Sequence, residues 1–157
     1  PRFILRRLIR MAMEDIGLAD PIALLLATSA REAFDFLGVP EGLIALDEIT
    51  VYLSLAPKSN SLEIAGMQAD SLIERTGTLP VPRAFRNSVT QVGRALRYGE
   101  NYKYDHDSPG AYSGQDHFPI QLRGTELYQP TLYGKEKALA ERLQQLKARK
   151  AEIEKGH

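Results

Sequence analysis

The chain has no cysteine, which excludes disulfides and thiolate metal sites and fits a reducing compartment. It has no excess of either charge: 20 lysines and arginines stand against 20 acids, so no global field draws it onto nucleic acid or membrane. Long hydrophobic runs are missing too. The longest strictly apolar run is Ile22–Ala27, far too short to span a bilayer. A phosphate-binding loop is absent. Its glycine-lysine pair would be Gly134-Lys135, but Glu136 follows where Ser or Thr is needed and Gln129 replaces the first glycine. There is no dinucleotide fingerprint, no nucleophile elbow and no helical His-Glu-x-x-His. The chain also starts on proline rather than methionine, which leads us to expect a piece of a longer protein.

What is present is an ordinary globular composition, 43% hydrophobic and 25% charged over 157 residues, enough for one domain with a real core. The central stretch is Ile49–Asn60, ITVYLSLAPKSN. Ile49, Val51, Leu53 and Leu55 alternate as in a strand, whereas Ile49, Tyr52, Leu53 and Ala56 follow a helical period. No other segment offers a good partner strand to pair its backbone. The stretch is therefore read as a buried helix from about Leu46 to Ala56, with Asp47 and Glu48 in its first turn against the helix dipole.

The rest is helical as well. Phe3–Ile16 carries a broad apolar face opposite Arg2, Arg6, Arg7 and Arg10, and Gly17 stops it. Asp20-Pro21 caps a helix over Ile22–Leu37, apolar nearly all round at its start and so expected to be buried there. Asn60 and Glu63 form a capping box for a helix through about Arg75, with Leu62, Ala65, Ala69, Leu72 and Ile73 as its buried stripe. Pro80 and Pro82 force an extended crossing, and a further helix runs over about Val89–Tyr98. Residues 99–134 hold five tyrosines, three prolines and scattered glycines. They read as an ordered, irregular strap, too aromatic for a linker. Lys135–Lys155 is rich in strong helix formers. Leu132, Leu139, Leu146 and Ile153 recur every seventh residue, but Glu136 and Lys150 occupy the partner positions and argue against a long coiled coil. The expected fold is all-α, a bundle-like domain with a helical core over 1–98, a tyrosine-rich strap over 99–134 and a C-terminal helix over 135–155.

Three constellations could carry chemistry. Asp105-His106-Asp107 and Asp116-His117 offer metal-ligand types, yet adjacent residues rarely converge on one ion, and the alternative is a turn with surface histidines. A basic-aromatic stretch holds Arg83, Arg86, Arg94, Arg97 and Lys103 with Tyr98, Tyr102 and Tyr104 interleaved. Cations beside stackable rings suit single-stranded nucleic acid; the same residues also suit a packed strap under a solvated face. The arginine row Arg2/Arg6/Arg7/Arg10 is either such a face or a surface for a neighbouring domain or subunit.

Taken together, the strings Arg6–Ala12, Glu14–Pro21 and Tyr52–Asn60, with Tyr98-Gly99 and Tyr102–Asp107, resemble the C-terminal domain of the RarA/MgsA branch of AAA+ ATPases. These are the replication-associated recombination proteins, related to clamp loaders. Asp116–Pro119 and Tyr128–Gly134 also fall where that family has similar strings, and the resemblance reaches from Pro1 to about Leu146. It implies an all-helical, non-catalytic domain that assembles the parent into homotetramers. The parent would be a DNA-dependent ATPase at stalled or damaged forks, with ATP and Mg bound in a preceding core. It would have links to single-strand-binding protein and the replisome, no membrane association, and a cytoplasmic, nucleoid-associated location in bacteria. No catalytic, cofactor or metal residue carries over to this chain. The residues singled out for nucleic-acid or subunit contact are Arg83, Arg86, Arg94, Arg97, Tyr102, Lys103 and Tyr104.

Overall fold

A computed structural model describes residues 1–155. It contains six α-helices and, among the described residues, no strand, so the expected all-α class holds. Two compact units divide the chain: Pro1–Asp70 with Leu127–Leu143, and Ser71–Glu126 with the residues from Gln144 onward.

The first unit is built on α1 (Arg2–Met11), α2 (Ile22–Leu37) and α3 (Leu43–Leu55). Its core is Leu5, Ala12, Ile16, Ala23, Ala27, Ala30, Phe34, Leu46, Ile49 and Leu53. Helix α1 continues to Ile16 as expected, but its last turn, Ala12–Ile16, widens to a π-turn. Gly17 ends it at φ 51°, and a Cβ there would lie 2.9 Å from the Ser59 carbonyl oxygen. The Lys58–Asn60 turn docks at the same place, where the Ser59 N–H donates to the Asp15 carbonyl at 2.8 Å.

In α2 the core stripe consists of Ala23, Ala27 and Ala30, ending in Phe34. The sequence suggested that the apolar start of this helix would be buried. Instead Ile22, Leu24 and Leu25 face outward, Leu25 65% exposed. Small side chains let helices approach closely, so the alanine edge faces inward and the larger residues are left outside.

Helix α3 confirms the helical reading of the central stretch, but it starts at Leu43. Asp47 and Glu48 therefore sit in the second turn, not against the dipole in the first. Tyr52 of α3 donates its hydroxyl to Asp20 at 2.5 Å.

Helices α4 (Ser61–Thr76) and α6 (Glu136–Lys155) each belong partly to both units. At the start of α4 the side-chain bond is made by Ser59, whose Oγ accepts the Ser61 N–H at 3.3 Å, in place of the expected Asn60–Glu63 box. The stripe expected to be buried in α4 is largely uncovered: Leu62 and Ile73 are exposed and Ala65, Ala69 and Leu72 only half-buried. An apolar period marks the face that a neighbour could cover; it does not guarantee that this chain supplies one.

The expected Val89–Tyr98 helix shrinks to α5, Gln91–Ala95. Thr90 caps it by accepting the Gly93 N–H at 3.0 Å. The Tyr98 N–H returns to the Gly93 carbonyl and the Arg97 N–H to that of Arg94, which is a Schellman ending. Arg97 takes the left-handed position at φ 56°, where glycine is the usual residue. The following irregular segment contains three single 3₁₀ turns, Asp105–Asp107, Pro109–Ala111 and Ile120–Leu122. Within the second unit it is tied to α6 by Lys147–Glu126 at 2.7 Å, by a close Lys150–Asp116 pair and by Arg149 over the Tyr112 ring.

Candidate functional site

The second unit gathers part of the basic-aromatic stretch into one cleft of about 840 Å³. Pro80 and Pro82 hold its wall extended, and the 3₁₀ turn Arg83–Phe85 follows. Arg83, Arg86, Lys103 and Arg123 line the cleft, with Asp116 and Glu154 as its acids. Arg94, Arg97, Tyr102 and Tyr104 do not line it.

Several of these residues have local structural partners. Arg86 donates to the Val81 carbonyl at 2.6 Å and to the Tyr98 hydroxyl at 3.1 Å, with its guanidinium 5.0 Å from the Tyr98 ring centroid. Arg94 donates to the Val89 carbonyl at 3.2 Å. Arg97 pairs with Glu100 at 3.8 Å on the surface, worth about 0–1 kcal/mol. Lys103 donates its backbone N–H to Gln115 at 2.9 Å. Tyr102 meets Phe85 edge-on at 5.9 Å, and Tyr104 tilts against His106 at 5.0 Å. Both tyrosines remain about half exposed, leaving ring faces for stacking. Of the cleft's cations, Arg83, Lys103 and Arg123 are exposed and Arg86 is half-buried.

The metal-ligand types have other partners. Asp105 accepts the Ser113 hydroxyl at 2.6 Å and its N–H at 2.8 Å. Those two bonds hold its carboxyl below the ordinary aspartate range. His117 stacks on Phe85 at 4.5 Å, and Asp116 pairs with Lys150 and Arg123. Among the described residues no three His, Cys, Asp or Glu side chains come together.

Two features of the first unit escaped the sequence. Glu136 is fully buried (0% exposed) at the start of α6. It accepts hydroxyl bonds from Ser61 at 2.5 Å, Tyr128 at 2.7 Å and Thr131 at 2.5 Å. Burial alone would raise its pKa, but the hydroxyls of Ser59, Ser61, Thr131 and Tyr128 outweigh it and bring the carboxyl down to about 2. Burial and the adjoining carboxylate push Tyr128 up to about 12. Beside this cage, Gly134 presses on Ala19. A Cβ at Gly134 would stand 2.2 Å from the Ala19 carbonyl oxygen, which also accepts the Lys135 N–H at 2.8 Å. Asp20, next in the chain, faces Lys135 Nζ at 3.4 Å. Burial raises its carboxyl, and the Tyr52 hydroxyl, Lys135 and the Ile22 N–H together hold it below the ordinary range.

The second missed feature is the outer face of α3. Ile44, Val51 and Leu55 line an apolar groove of about 830 Å³ with Asp47 and Glu48. They are 71%, 59% and 81% exposed. The signal was available in the sequence: once the helix starts at Leu43, it carries one apolar stripe at 46, 49 and 53 and a second at 44, 51 and 55.

The family described as MgsA AAA+ ATPase C terminal matches residues 1–147. A Replication-associated recombination protein A of Coxiella burnetii is 43% identical over 145 residues, covering 92% of this chain and 33% of the relative. Its namesake in Haemophilus influenzae is 38% identical over 148 residues, 94% of this chain and 33% of that protein. In Escherichia coli K12 the namesake is 36% identical over 144 residues, 91% of this chain and 32% of that protein. The chain thus spans about a third of the length of these curated relatives. With the match extending over nearly its whole length, the chain belongs to the C-terminal family of MgsA-type AAA+ ATPases.

Proposed function

We propose that this chain is a non-catalytic tetramerisation domain of a longer AAA+ ATPase that acts in replication-fork maintenance, recombination and repair. The observation that carries this reading is the second apolar stripe of α3, Ile44, Val51 and Leu55, left open on a helix whose other face is already in the core. Each large apolar side chain kept from water contributes about 1.5–3 kcal/mol, so an uncovered stripe of three favours association. The uncovered stripe of α4 and outward-facing Leu25 add to that apolar surface. On this reading ATP and Mg bind in the preceding ATPase core. The parent meets DNA, single-strand-binding protein and the replisome in the bacterial cytoplasm at the nucleoid. No helix among the described residues is long and apolar enough to cross a membrane.

The test is the solution mass of the chain by light scattering across a dilution series. A tetramer that persists into the low micromolar range supports the reading; a monomer throughout overturns it.

A second reading, direct binding of single-stranded or fork DNA, is favoured by the cleft that collects Arg83, Arg86, Lys103 and Arg123. It predicts binding that weakens steeply with salt and falls on Arg83→Ala. Arg94→Ala and Arg97→Ala, outside the cleft, test whether the contact extends along the stretch. No binding at low salt removes this reading.

A further inference from the structure

Two faces of the first unit carry charges that form no ion pair among the described residues. At 100° per residue, Ile44, Val51 and Leu55 of α3 fall within an arc of about 40° opposite Leu46, Ile49 and Leu53, with Asp47 and Glu48 along its two margins. Both acids line the open groove, and neither is engaged by an ion pair among the described residues. The dipole does not account for them either, since α3 has no acid in its first turn.

Helix α1 offers the complement. Its core edge is Leu5, continued by Ala12 and Ile16 in the π-turn. On the far side stands Phe3, 71% exposed, with Arg6 and Arg7 three and four residues on and therefore flanking it on the helix surface. Arg2 is held by Asp35 at 3.0 Å and Arg10 by Glu14 at 2.6 Å. Arg6 and Arg7 are engaged by no such pair among the described residues. One face is thus an apolar stripe margined by two acids, and the other an exposed aromatic flanked by two arginines.

We propose that the outer face of α3 receives α1 of a second copy, Phe3 entering the Ile44–Val51–Leu55 stripe while Arg6 and Arg7 meet Asp47 and Glu48. The proposal rests on the assembly reading above and assigns it a surface. Every copy carries both halves, so the contact can repeat from chain to chain, and it closes into a ring where the rotation between neighbours closes. Apolar contact supplies attraction and the charge match fixes register, since like charges brought together there oppose association.

The test uses two exchanged-charge variants of the chain, each checked for native helicity by circular dichroism. Asp47→Lys/Glu48→Lys makes both faces positive; Arg6→Glu/Arg7→Glu makes both negative. Each alone is expected to weaken assembly at least tenfold, and mixing the two in equal amounts is expected to restore the wild-type mass. Glu141→Lys/Glu152→Lys, an equal charge change on exposed α6 positions, is expected to keep the wild-type mass. It controls for general repulsion between like-charged chains; mixed with Arg6→Glu/Arg7→Glu, it is expected not to restore that variant's mass, which controls for attraction between oppositely charged chains.

If the wild-type chain assembles but neither variant changes its mass, another occupant covers these faces. The proposal then falls and the assembly reading stands. If both variants fall apart and their mixture does not recover, the pairing of α1 with α3 is wrong. A wild-type chain that is monomeric throughout removes both.

Discussion

The Ser61 hydroxyl donates to the Glu136 carboxylate at 2.5 Å across 75 residues of sequence. That bond ties the start of α4 to the start of α6, and the Tyr128 and Thr131 hydroxyls complete the cage. A buried carboxylate normally needs a cation. Here hydroxyl dipoles and the positive end of α6 replace it.

Glu136→Gln is expected to destabilise the chain by about 2–3 kcal/mol, because the hydroxyls lose a charged acceptor and an amide group faces them instead. Urea denaturation measures it. Ser61→Ala removes one donor and is expected to cost less, about 1 kcal/mol.

The same carboxylate sets an acid limit. Its folded pKa of about 2 lies below the ordinary 4.5, so folding binds the deprotonated form. That contribution is complete above about pH 4.5 and is lost as the pH falls toward 2. Asp20 and Asp105, both lowered, act in the same direction. Tyr128, raised from 10.0 to about 12, acts at the other end: its contribution is complete below pH 10 and lost as the pH climbs to 12. Urea midpoints between pH 7 and 2.5 are expected to fall less steeply in Glu136→Gln than in the wild type.

Gly134→Ala is expected to cost about 2–3 kcal/mol, combining a left-handed φ of 52° with a collision on the Ala19 carbonyl. Gly66→Ala is expected to do the reverse. Nothing lies within 4 Å of its Cβ position inside α4, and replacing a mid-helix glycine with alanine gains about 0.5–1 kcal/mol. Thermal melts of the pair should move in opposite directions.

Arg97→Gly is expected to stabilise the second unit by roughly 0.5–1 kcal/mol, because glycine takes the left-handed C-terminal position without strain. The surface pair with Glu100 that it sacrifices is worth little. Arg97→Ala keeps the strained conformation and removes the charge. Comparing the two by urea denaturation separates backbone from electrostatics.

The helical framework was legible because it is written locally. Gly17, Gly38 and Gly77 end their helices, and the period of the Ile49–Ala56 stretch resolves to helix. Val89–Tyr98 was overestimated because Gly99 offers the glycine stop signal, whereas the helix ends earlier in a Schellman turn in which Arg97 occupies the usual place of glycine. The burial of α2 was misjudged because hydrophobicity ranks leucine above alanine, whereas close helix approach selects Ala23, Ala27 and Ala30 for the inside. For the basic-aromatic stretch, spacing along the chain grouped seven residues, but the cleft takes only Arg83, Arg86 and Lys103 of them and adds Arg123. The Glu136 cage was out of reach, since its donors come from Ser61 and from Tyr128–Thr131, segments joined only by the tertiary fold.

Because the partners of Glu136 are neutral hydroxyls, dissolved ions have no cation there to screen, and the Debye length hardly matters at a dry site. Exposed charges such as Asp47, Glu48, Arg6 and Arg7 are open to that screening. Raising ionic strength should therefore loosen contacts made through these surface charges well before it loosens the fold. Each chain would then leave an assembly intact and able to rejoin it when the salt is diluted.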